Sequence, residues 1–120
     1  KIVMGMDFHS THNNVFYTIP QTESIAPTTM VVSWLDNFQQ KTKGVLKVLD
    51  KPGTSPGKGV FKQFMADVYN VHGVTYEVGD NEPDVKTRYV ARHAAKTLID
   101  VLLDTKAEDF VLNTCPAESC

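Results

Sequence analysis

The sequence predicts an α/β fold: a mixed sheet with helices packed on it, in a single domain over residues 1–120. Three observations carry this. Short β-branched and aromatic runs alternate with segments whose apolar residues recur at three- and four-residue spacing. Proline, glycine and asparagine punctuate the boundaries between them. At 42% hydrophobic and 22% charged residues, a chain of 120 has enough apolar side chains for one core.

Taken in order, residues 1–7 read as a buried strand and residues 15–19 as a second, stopped by Pro20. A helix is expected from residue 27 to about 41, with Val31, Trp34, Leu35 and Phe38 on one face. Residues 45–49 look like a strand. Residues 50–59 hold two Pro-Gly pairs and predict a surface loop of several turns. Phe61, Phe64, Met65 and Val68 predict a helix over about 59–70. Residues 73–79 form a β-branched, aromatic strand between glycines. The clearest helix runs from residue 83 to about 104. Pro83 suits its first turn, and Val85, Tyr89, Ala95, Leu98, Ile99 and Leu102 fall near one stripe. Residues 110–112 could add an edge strand.

Charge and hydropathy exclude some function classes. Twelve Lys plus Arg against 14 Asp plus Glu leave a net charge of −2, which gives no electrostatic footprint for nucleic acid or anionic lipid. No apolar run approaches the roughly 18–20 residues of a membrane span. Cys115 and Cys120 fall in the last six residues and are open to two readings, a small closed ring or two free thiols.

Two clusters carry candidate chemistry. Around residues 6–14, an apolar strand gives way to polar residues, including Asp7, His9, Ser10 and His12. Ligands of open α/β sheets bind beyond the carboxyl ends of strands, and imidazole suits zinc. Asp7, two residues before His9, could orient its ring or cap a turn. The same residues also suit a polar turn that simply stops the strand. His9 and His12 form a His-x-x-His pair, but the segment does not look helical, so His9 alone is the candidate ligand. The second cluster centres on Glu77. A carboxylate among Val, Tyr and Val in a central strand is costly unless paired or functional, and such a group suits general acid/base work. On an edge strand it would merely face water. Elsewhere, Arg88 and Arg92 beside Asp84 read as a solvated ion-pair face, His72 and His93 as structural or exposed, and Tyr76 and Tyr89 as core.

The segment DFHSTHNNVFYT, residues 7–18, resembles the part of zinc carboxypeptidases in which a strand ends in the third metal ligand, a His followed by Ser. GVTYEVGDN, residues 73–81, is similar to the later strand that carries that family's catalytic Glu ahead of a long final helix. The resemblance covers most of the chain, from residue 1 to about 103. It implies that the sheet is part of a zinc-carboxypeptidase-like α/β/α sandwich. It also implies His9 as a zinc ligand and Ser10 near the substrate cleft. Glu77 would be the base, then acid, in peptide hydrolysis by zinc-activated water.

The family's His-x-x-Glu ligand pair is not found at any of the four histidines, and the 50–59 loop lacks the Tyr that such loops often carry. The resemblance therefore implies the C-terminal portion of a larger catalytic domain. The remaining zinc ligands are expected upstream of Lys1, and the isolated chain is expected to be inactive. The related aspartoacylase/succinylglutamate desuccinylase branch, which cleaves N-acyl amino acids and also uses an Asp-x-His strand end, is an alternative. Tyr76 and the residues after Glu77 incline toward the peptidase branch. A non-catalytic interaction module is a third reading. The substrate is thus a peptide or an N-acyl amino acid, a periplasmic or secreted setting is the family's default, and a cut sheet edge would invite self-association.

Overall fold

The computed structural model describes residues 1–111. It contains four strands, β1 (Met4–Thr11), β2 (Val15–Thr18), β3 (Asp50–Pro52) and β4 (His72–Gly79). Three helices accompany them: α1 (Met30–Lys41), α2 (Phe61–Tyr69) and α3 (Asp84–Asp104). Short 3-10 turns occupy Gln21–Glu23 and Ala107–Phe110. The strands form one mixed sheet in the order β1-β4-β2-β3. β1 runs parallel to β4, β2 antiparallel to β4, and β3 parallel to β2. The mixed α/β fold read from the sequence is therefore the fold observed.

The two faces of the sheet are covered differently. On one, Phe16, Val74 and Tyr76 meet Trp34, Leu35 and Phe38 of α1 and Val90 and Val101 of α3. The Phe16 ring stacks on Tyr76 with centroids 4.2 Å apart and meets Trp34 edge-on at 5.5 Å. The Trp34 indole N–H donates to the Ala94 carbonyl at 3.0 Å, so burial leaves no orphan donor. On the other face α2 lies over Gly5 and Gly73. A Cβ on Gly73 would stand 2.6 Å from the Lys62 Cα, and one on Gly5 would stand 2.7 Å from the Met65 methyl. Only glycine lets the helix come this close.

Several boundaries differ from expectation, each for a tertiary reason. β1 begins later and runs on to Thr11, because every residue from Met4 to Thr11 has a partner in β4. Residues 45–49 are not a strand. Gln39 instead reaches across, its Nε2 donating to the Leu46 carbonyl at 2.9 Å and its Oε1 accepting from the Val48 amide at 2.8 Å. Pairing with β2 starts only at the Leu49 carbonyl and continues through β3, inside the segment expected to be loop. Phe110 belongs to a 3-10 turn rather than an edge strand, and Leu112 lies outside the described residues.

The helix faces shift as well. In α2, Lys62, Gln63 and Met65 are buried, whereas Phe64 and Val68 are exposed, because the close approach at Gly73 selects that side. In α3, Val90, Thr97 and Val101 are buried, while Val85, Tyr89 and Ile99 face outward. The stripe read from the sequence is thus rotated, and Tyr89 is not core. It is partly exposed and donates its hydroxyl to the Lys41 carbonyl. Tyr76, in contrast, is core, and burial pushes its phenol up to about 12, keeping it a donor to Asn14 Oδ1 at 2.8 Å.

Candidate active site

Side chains alternate along a strand, so Asp7, His9, Thr75 and Glu77 share the face that α2 only half covers. The helix lies over the amino-terminal halves of β1 and β4 and leaves their carboxyl halves open. A cleft of about 470 Å³ results. It is lined by Asp7, His9, Thr75 and Glu77, by Tyr17 of β2, and by Ser55 and residues 60–62.

His9 and Glu77 are direct partners in the parallel register. β4 lies between β1 and β2, so Glu77 stands on a central strand and not on a wet edge. It is half-buried and makes no side-chain hydrogen bond or ion pair among the described residues. His9 is not in a turn. It sits inside β1, two residues before the strand ends, with its side chain 58% exposed. Its Nε2–H donates to Asp7 Oδ2 at 2.8 Å. A carboxylate can only accept, so neutral His9 carries its lone pair on Nδ1. The other Asp7 oxygen, Oδ1, is buried without a partner. The spacing of two on one strand turns Asp7 into the group that sets the tautomer of His9.

Ser10 belongs to the opposite face. Its register partner is Val78, and its side chain points away from the cleft that holds His9. Ser10 is not among the residues that line that cleft. His12 lies beyond the strand, exposed, 3.8 Å from Asp80. Arg88 and Arg92 are exposed and form no salt bridge among the described residues, where the ion pairs of α3 are Lys86–Glu82 and Lys96–Asp100. Lys86 and Asn14 hold the Glu82 carboxyl below the usual range. His72 is a structural histidine, buried, with Nε2 2.7 Å from the Pro27 carbonyl, and burial holds its imidazole below the usual range. His93 is half-buried, its ring edge-on to Tyr89. Cys115 and Cys120 lie outside the described residues.

Three cleft residues escaped sequence reasoning. Thr75 was legible, because it stands two positions before Glu77 on the same strand face. Tyr17 became a neighbour only through its register with Thr75. Lys62 gave no local signal. Between Phe61 and Phe64 it reads as the wet side of a helix, yet it is 8% exposed.

The donor set fits zinc only in part. His9 offers one ring nitrogen in the right tautomer, but no group of three His, Cys, Asp or Glu that could hold a metal ion exists among the described residues. A catalytic zinc needs three protein ligands. The described residues do not complete that set. In comparisons with known proteins, no family model, curated protein or solved structure matches the chain.

A second cavity, of about 380 Å³, lies on the opposite face between the sheet and α3. Its walls include Met6, Phe8, Val78 and Leu98, with the Glu82–Lys86 pair at its edge. Its polar lining is Asn14, Tyr76, Thr87 and that ion pair.

Proposed function

We propose that this chain supplies half of a hydrolytic centre of the zinc-carboxypeptidase type, acting on the amide bond of a peptide. One observation carries the reading: an imidazole with a fixed tautomer and an unpaired carboxylate stand side by side on neighbouring parallel strands, at their carboxyl ends, in one cleft. When bound, zinc polarises the scissile carbonyl and acidifies water. Glu77 accepts the proton of the attacking water and then delivers it to the departing nitrogen, a task open to it because no other side chain among the described residues occupies its oxygens. His9 would offer Nδ1 to the metal, with Asp7 locking the ring through Nε2–H. Ser10, on the opposite face, does not line the cleft and has no role in this reading.

The remaining ligands lie outside the described residues in this reading, so the chain alone should not turn over. Peptide hydrolysis assayed with and without added zinc should show no activity, and turnover by the chain by itself would overturn the incomplete-centre reading. In a polypeptide extended upstream of Lys1 to include a His-x-x-Glu pair, Glu77→Gln should cut hydrolysis by about 10²–10⁴-fold. Retained activity there would remove Glu77 from the chemistry.

The Asp7–His9 hydrogen bond across an Asp-x-His spacing favours a second reading, N-acyl amino acid deacylation. Comparing peptide and N-acyl amino acid substrates on the extended polypeptide separates the two.

A further inference from the structure

We propose that the cavity between the sheet and α3 is a binding site for an uncharged, flat aromatic molecule. It lies on the face of the sheet opposite His9 and Glu77, so it stands independently of the hydrolytic reading.

Four aromatic rings line the cavity: Phe8, Phe16, Trp34 and Tyr76. Three of them are buried and fix one another. Phe16 lies flat on Tyr76 with centroids 4.2 Å apart, and Trp34 meets Phe16 edge-on at 5.5 Å. Phe8 differs. It stands edge-on to Tyr76 at 6.3 Å and lines the cavity, yet it is 67% exposed. A large apolar ring is thus held at the opening with much of its surface in water. A flat guest entering past Phe8 meets ring faces and edges. In such contacts an aromatic molecule gains more than an aliphatic one of equal area.

The polar groups of the lining set the charge of the guest, because they are engaged with one another. The Tyr76 hydroxyl donates to Asn14 Oδ1 at 2.8 Å, and Asn14 Nδ2 donates to Glu82 Oε1 at 2.9 Å. Lys86 closes the line, its Nζ 3.0 Å from Glu82 Oε1 and 2.9 Å from Oε2. The Trp34 indole N–H is taken by the Ala94 carbonyl. Among the described residues, Glu82 and Lys86 are the only charged groups of the lining, and they neutralise each other. An anion or a cation would lose its water here and find no free counter-ion. The Thr87 hydroxyl alone has no side-chain or backbone partner among the described residues, so the guest carries one neutral hydrogen-bonding group at most. Water is poorly served as well, since it needs roughly two to four polar partners. An apolar cavity of about 150 Å³ has room for one benzene ring. At about 380 Å³, this one has room for two fused rings.

The test is a binding measurement on this chain and needs no turnover. The chain has one tryptophan, so its single indole N–H signal reports on the cavity in NMR titrations. Near neutral pH, 2-naphthol should shift that signal and those of Phe8 and Leu98, and leave His9 unshifted. It should bind about tenfold more tightly than 2-naphthoate, which adds a charge. It should also bind at least about threefold more tightly than decahydro-2-naphthol, which keeps the hydroxyl and the carbon skeleton but loses the flat π face. Ala95→Phe, at an exposed position of α3 on the cavity wall, should fill the opening and weaken 2-naphthol binding about tenfold. Ala91→Leu, also exposed on that wall, serves if Ala95→Phe does not fold. Equal binding of the naphthoate or of the saturated alcohol, an unshifted Trp34, or an affinity that survives the filling variant would each overturn the proposal. So would a dimer in sedimentation that must dissociate before Trp34 responds, because a second copy of the chain would then be the occupant.

Discussion

The two faces of β4 solve opposite problems with one strand. Toward α1 and α3 it presents Val74, Tyr76 and Val78, and the partners there close around them into an aromatic cluster. Toward α2 it presents Gly73, Thr75 and Glu77. The glycine lets a helix approach at one end, and the next two residues are left facing a cleft. Apolar packing is concentrated on the first face and the polar cleft on the second. A period of two lets one eight-residue strand present both faces.

Four measurements sharpen or break this division, from the largest expected effect to the smallest. Trp34→Ala, on the packed face, should lower the unfolding free energy by about 3–5 kcal/mol in urea titrations. In the molecules that remain folded, the His9 ring should keep its tautomer. If Trp34→Ala also released that ring, the faces would not be independent.

Gly73→Ala should cost about 1–3 kcal/mol, because its new methyl meets the α2 backbone, which can yield only by lifting the helix. Gly5→Ala should cost less, since it meets the end of a flexible methionine. Equal thermal shifts for the two would show that the helix rests less closely than its contacts indicate.

Acid should weaken the fold through His72. Its folded pKa lies below the unfolded value of 6.5, so the unfolded chain takes up a proton that the folded chain refuses. The stability tied to neutral His72 is present above that value and falls as the pH drops below it. Urea midpoints between about pH 7.5 and pH 5.5 should decline more in the native sequence than in His72→Gln. Parallel declines would remove His72 as the cause.

Asp7→Asn should change stability by less than about 1 kcal/mol, because the His9 partner is largely exposed. It should nevertheless unlock the ring, read as a shift in the ¹⁵N resonances of His9 toward a tautomer mixture. An unchanged spectrum would mean that Asp7 does not set the tautomer.

Local pattern made much of this molecule legible and failed where a partner decided the outcome. The face of α1 follows from spacing alone, and Val31, Trp34, Leu35 and Phe38 are all buried as that spacing implies. The alternation of elements was enough for the α/β layering. The polar residues after Asp7 carry no strand signal of their own; they are strand because β4 pairs with each of them up to Thr11. Residues 45–49 have the composition of a strand, but Gln39 takes the backbone groups of Leu46 and Val48 first. In the cleft, Glu77 stood out because its neighbours are apolar, and His9 because it follows an apolar strand. Lys62 could not be found this way. Its burial comes from Thr18 and Gly53, which lie 44 and nine residues away.

Among the described residues, β1 has a neighbour in the sheet on one side only, β4. The outward amides and carbonyls of the strand that bears His9 thus form an open seam. A further strand added along this seam would pair with the same backbone that carries His9, and so would fix the position of that side chain from both sides.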